Sequence, residues 1–74
     1  MDIQLMVRFD ERLDAAVIGR ARSRLEAAGG VFAAEPCRGQ AHLMMVRHDP
    51  GTASAGRIVA ALRDMGFQAR AVGR

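Results

Sequence analysis

The order in which two apolar periodicities succeed one another is the strongest constraint this chain places on its fold. Ile3, Leu5, Val7 and Phe9 alternate with Gln4, Met6 and Arg8, the period of a strand with one buried face, so a first strand is predicted over residues 2–9. The acids of Asp10-Glu11-Arg12-Leu13-Asp14 suit the start of a helix. Val17, Ile18, Ala21, Leu25 and Ala28 then recur at three- and four-residue steps up to Gly29-Gly30, an amphipathic helix whose Arg20, Arg22 and Arg24 read as a solvated face. Val31 to Glu35 reads as a second strand, Pro36-Cys37-Arg38-Gly39 as a turn and Ala41 to Arg47 as a third strand, together a hairpin. Asp49-Pro50-Gly51 is turn chemistry again. Thr52 or Ser54 is placed to cap a second helix with Ala55, Ile58, Leu62 and Met65 on one face, Gly66 ends it, and Phe67 to Val72 alternates as a last strand.

Strand-helix-strand-strand-helix-strand is the ferredoxin-like α+β plan: a βαββαβ sandwich with a four-stranded antiparallel sheet and both helices on one face. Its 74 residues make a single domain over 1–74, and a domain of this size buries only about 60% of its unfolded surface. With only three Phe, the core must be built from Val, Ile, Leu, Met and Ala. The plan leaves the second sheet face uncovered. If Val7, Met44, Val46 and Ala69 point at the helices, alternation sends Met6, Arg8, Phe32, Leu43, Met45, Arg47 and Arg70 to that open face, a partly apolar interaction surface.

The run His48-Asp49-Pro50-Gly51-Thr52-Ala53-Ser54, followed by Ile58, Leu62, Gly66-Phe67 and Ala69, resembles the second half of heavy-metal-associated (HMA, copper-chaperone-like) domains. Ile18, Ala21, Leu25 and Gly30-Val31 extend the resemblance over nearly the whole chain. The resemblance implies a non-enzymatic module linked to metal transport or homeostasis, with a metal-transporting ATPase or a second copy of the chain as protein partner. In that family the loop after the first strand carries Met-x-Cys-x-x-Cys, whose thiolates hold a soft ion. Alignment on Leu25 and Gly30-Val31 puts Asp14 and Val17 at the cysteine positions and Arg12 at the methionine, so the usual soft-metal site is lost. What remains is a protein-interaction or regulatory module.

A relocated site is the alternative. Cys37, His42 and the methionines of the hairpin are soft or borderline donors for Cu(I) or Zn(II). Cys37 and His48 fall at opposite ends of the sheet, too far apart to share an ion at about 3.3 Å per strand residue. Cys37 with His42 supplies two ligands where structural zinc takes four, so a homodimer would have to complete the set. The plainer readings are a turn thiol for Cys37 and strand-end surface residues for His42 and His48.

Other classes are disfavoured. The net charge is +3, carried entirely by Arg against eight acids. A nucleic-acid-binding module of this topology would stack bases on strand aromatics, and the open-face positions hold Met6, Arg8, Leu43 and Met45 instead. No nucleophile-base pair, phosphate loop or paired-histidine helix points to an enzyme. The lone cysteine and the lack of a secretory pattern make the cytoplasm the expected address, and no apolar run is long enough to span a bilayer.

Overall fold

Six elements follow one another in the expected order: β1 (Ile3–Phe9), α1 (Ala15–Ala28), β2 (Val31–Pro36), β3 (Leu43–His48), α2 (Ala55–Asp64) and β4 (Ala69–Val72). The computed structural model describes residues 2–72. Every neighbouring pair of strands is antiparallel and the sheet order is β2-β3-β1-β4. This is the ferredoxin-like α+β arrangement, with β1 and β3 at the centre and β2 and β4 as edges. α1 packs over β2, α2 over β4, and the two helices touch each other.

Local chemistry explains where the elements begin and end. Asp14 caps α1, its Oδ1 accepting the Val17 N–H at 2.8 Å, and Ser54 rather than Thr52 caps α2, its Oγ accepting the Arg57 N–H at 3.2 Å. The Thr52 hydroxyl is spent on Asp49 Oδ2, while Asp49 Oδ1 accepts the Gly51 N–H. Those two bonds, the Gly51 one foremost, hold the Asp49 carboxyl below its usual value of 3.8. A group with a depressed folded value stabilises above its unfolded pKa, and this contribution fades as the pH falls through the folded one.

α2 closes in a Schellman turn. Gly66 sits at φ +96°, with Gly66 N–H donating to the Arg63 carbonyl and Phe67 N–H to the Leu62 carbonyl. Because Phe67 is spent on this cap, β4 starts at Ala69 and not at Phe67. β3 likewise starts at Leu43, two residues later than the sequence suggests. The Ala41 carbonyl accepts the Leu13 N–H at 2.8 Å and residues 37–42 form the connecting turn.

The core lies between the sheet and the helices. Val7, Phe9, Met44, Val46 and Ala69 from the strands meet Ala21, Leu25, Ile58 and Leu62 from the helices, with Phe67 set edge-on to Phe9 at a centroid distance of 5.6 Å. Two expectations are corrected here. Ala28, assigned to the apolar stripe of α1, is exposed in the last turn of the helix, beside an open space between α1 and α2. His48, read as a surface residue, is 1% exposed: it continues the alternation of Met44 and Val46 and points to the helices as they do.

One approach between segments is tight enough to dictate a residue. Gly30, at φ +81°, lets the turn after β3 fold onto the end of α1, with the Asp49 N–H donating to the Gly30 carbonyl at 2.8 Å. A Cβ at Gly30 would stand 2.9 Å from both Ala53 Cβ and Thr52 Cγ2. Among the described residues no helix is long and apolar enough to cross a membrane.

Candidate functional site

The loop that would carry paired thiols is closed by hydrogen bonds of its own. Leu13 N–H donates to Ala41, His42 Nδ1 donates to the Glu11 carbonyl at 3.0 Å, and Asp14 faces the α1 terminus. The carboxylate of Asp14 is thus engaged as a cap, and Val17 is half-buried against the core. A capped hard oxygen donor and an apolar side chain do not fit a soft metal ion, so the positions expected to be degenerate are occupied by helix-capping and packing chemistry. Arg20 lies over the Phe67 ring, 5.3 Å from its centroid. Arg22 is half-buried with Nε donating to the Ala34 carbonyl at 3.0 Å, so it fastens α1 to β2 and departs from the purely solvated face expected of it. Glu11 Oε1 is buried in the loop without a hydrogen-bond partner.

On the opposite side of the sheet the strand register sets the side chains in rows. Met6 lies across from Met45 on β3 and from Val72 on β4, with Glu35 beyond Met45. Arg8 lies across from Leu43 and Arg70, and Arg47 from Gln4 and Ala33. A bulge in β2 leaves Phe32 as an extra residue between the Val31–His48 and Ala33–Arg47 pairs, and its ring is 58% exposed. Met6, Leu43 and Met45 are half-buried, Val72 is exposed, and Arg47 is paired with Asp2. Apolar side chains thus run across the middle of the uncovered face with guanidinium groups interspersed.

Cys37 joins this face rather than the loop end. Its backbone N–H bonds Leu43, and its half-buried thiol donates to the Met6 thioether at 4.0 Å, a weak contact. His42 turns instead to Glu11, and among the described residues no three His, Cys, Asp or Glu side chains are gathered where they could hold a metal ion. His48 donates from Nδ1 to the Ala53 carbonyl at 2.7 Å. Since a carbonyl only accepts, Nδ1 carries the hydrogen, and Nε2 is buried without a partner. The period-2 pattern Met44, Val46, His48 was the signal for that burial. The Cys37–Met6 meeting follows from the hairpin register, which local pattern alone does not specify.

No protein-family model matches the chain, and no curated protein matches it. Solved structures do. The copper-binding domain of HMA7, a P-type ATPase, is 25% identical with a TM-score of 0.81, over 99% of this chain and 96% of that one. The N-terminal domain of a potential copper-translocating P-type ATPase from Bacillus subtilis, solved in its Cu(I)-loaded state, is 22% identical with a TM-score of 0.84, over 99% and 90%. Oxidized MerP from Ralstonia metallidurans CH34 is 12% identical with a TM-score of 0.82, over 99% and 100%. These last two are likenesses of fold.

Proposed function

We propose that this chain, which resembles heavy-metal-associated domains in fold and lacks their Cys-x-x-Cys pair, is a non-enzymatic docking or regulatory module of metal transport, working through its uncovered sheet face. The observation that carries this reading is the face itself. Phe32, Met6, Met45, Leu43 and Val72 leave apolar area that neither helix covers, and Arg8 and Arg70 set guanidinium groups beside it. Such a face fits a partner with an acidic rim around exposed apolar groups, the charges steering the encounter and the flexible methionines adapting to shape. The solved likenesses include a copper-binding domain of a P-type ATPase and a domain of a potential copper-translocating one, so a soluble domain of such an ATPase is the first partner to try, with a second copy of this chain next.

Titrating the labelled protein with the purified soluble domain of a copper-transporting ATPase from the same cell is expected to shift the amides of Met6, Arg8, Leu43 and Met45. A Phe32→Ser, Met45→Glu variant is expected to bind at least tenfold more weakly, about 1.4 kcal/mol. Shifts confined to the 10–14 loop, or equal binding by the variant, would exclude the open face. A concentration-dependent dimer with the same shifts would make the second copy the partner.

A second reading, Cu(I) binding at a relocated site, is favoured by one observation, the 4.0 Å separation of Cys37 Sγ and Met6 Sδ, two soft donors on the same face. In place of the expected Cys37–His42 pair, this reading takes Cys37 with Met6 and leaves His42 on Glu11. On this second reading, native mass spectrometry of the reduced protein with one equivalent of Cu(I) should show a one-copper species that is lost in Cys37→Ala and reduced in Met6→Leu. Equal retention by wild type and Cys37→Ala would remove Cys37 as a ligand.

A further inference from the structure

We propose that the cavity between α1 and α2 is a binding site for a small amphiphilic monoanion, with its apolar body on Leu25, Ala53 and Ile58 and its charged head at Arg24 and Arg57. The cavity measures about 290 Å³, at the lower end of the size range of small-molecule pockets. It lies where the C-terminal half of α1 faces α2, from Arg57 to Asp64. Small residues, Ala28 and Gly29 on one side and Ala60 and Ala61 on the other, line it there and leave room between the helices. The close approach at Gly30 supports one end of this space, because it draws Thr52 and Ala53 against the end of α1.

Its floor and rim differ in chemistry. Leu25, Ile58 and Ala53 are buried apolar residues, 1%, 2% and 7% exposed. Arg24 and Arg57 are exposed, and among the described residues neither guanidinium has a hydrogen-bond or ion-pair partner. Arg22, Arg63 and Arg47 are engaged by Ala34, Ala69 and Asp2. Two uncommitted, permanently charged forks beside an apolar floor call for a ligand with one anionic end, carboxylate or sulfonate, and an apolar body. Asp64 on the same lining opposes a second negative charge, which disfavours dianions such as phosphate. The site lies on the helical side, away from the open sheet face and from the 10–14 loop, so it stands or falls independently of the docking reading.

The test uses the whole protein and three probes: octanoate below its micelle concentration, octan-1-ol and inorganic phosphate. In ¹⁵N-resolved titrations octanoate is expected to shift the amides of Leu25, Ala28, Ala53, Ile58 and Ala61 saturably, with octan-1-ol and phosphate each at least tenfold weaker. The double variant Arg24→Gln, Arg57→Gln is expected to lose at least tenfold in octanoate affinity. Ala60→Leu, an exposed helix position whose larger side chain fills the mouth, is expected to abolish binding while leaving the remaining amide spectrum and the melting temperature near wild type. The proposal is overturned by the absence of saturable shifts, by shifts centred on Met6 and Met45, by octan-1-ol binding as tightly as octanoate, or by undiminished affinity in the arginine variant.

Discussion

Replacing Phe9 by alanine is expected to cost about 3–5 kcal/mol, a loss comparable to the whole stability of many domains of this length, for which about 0.05–0.15 kcal/mol per residue is usual. Phe9 is fully buried at the end of β1 and stands edge-on to Phe67, at 5.6 Å and 70°. Phe32, the third Phe of the chain, is exposed, so the substitution removes one of only two aromatic side chains in the core. It also strips the packing partner from a ring that Arg20 covers on another side. Urea unfolding followed by circular dichroism is the check, with Phe9→Leu as the milder comparison at about 1–1.5 kcal/mol. A loss below about 1 kcal/mol in Phe9→Ala would mean the ring is not packed as described.

The second large effect is expected at Gly30. Alanine there incurs the positive-φ penalty of about 1–2 kcal/mol, and its Cβ would also meet Ala53 and Thr52 at 2.9 Å. Together these should cost about 2–4 kcal/mol. Gly66 is the control. It too has positive φ, +96°, but an added Cβ meets nothing within 4 Å, so Gly66→Ala should cost the backbone penalty alone, about 1–2 kcal/mol. At about 4–8 °C per kcal/mol for a small domain, thermal melts separate the two easily. Equal losses at both glycines would show that the turn after β3 does not press on the end of α1.

These contrasts mark how far the fold could be read from the sequence. The element order was legible because each strand and helix announced its period, from Ile3, Leu5, Val7 and Phe9 to Ile58 and Leu62, and because Gly29-Gly30 and Gly66 stood at the breaks. Boundaries slipped where a backbone group was claimed from elsewhere. Phe67 N–H was taken by α2, and Ala41 was held by the 10–14 loop. His48 was misjudged because its polarity was weighed above its place after Met44 and Val46, although one bond to the Ala53 carbonyl accommodates Nδ1 in the interior.

What the sequence showed of the altered loop was Asp14 and Val17 at the positions where the resembled family carries thiolates. That Asp14 serves as the cap of α1 emerges only from its 2.8 Å bond to Val17. The Cys37–Met6 contact and the cavity between the helices were illegible for a different reason. Both join residues distant in the chain, and hairpin register and helix packing set those meetings.

The outer edge of β2 has a consequence for behaviour at high concentration. An exposed sheet edge is a template on which further chains can add and grow into fibrils. Here the bulge at Phe32 interrupts the ladder near one end of that edge, Pro36 lacks an N–H at the other, and the opposite edge, β4, spans four of the described residues. The domain can therefore display a sticky sheet surface while its margins resist recruitment of more strands, which favours assemblies that stop at a defined size over open-ended aggregation.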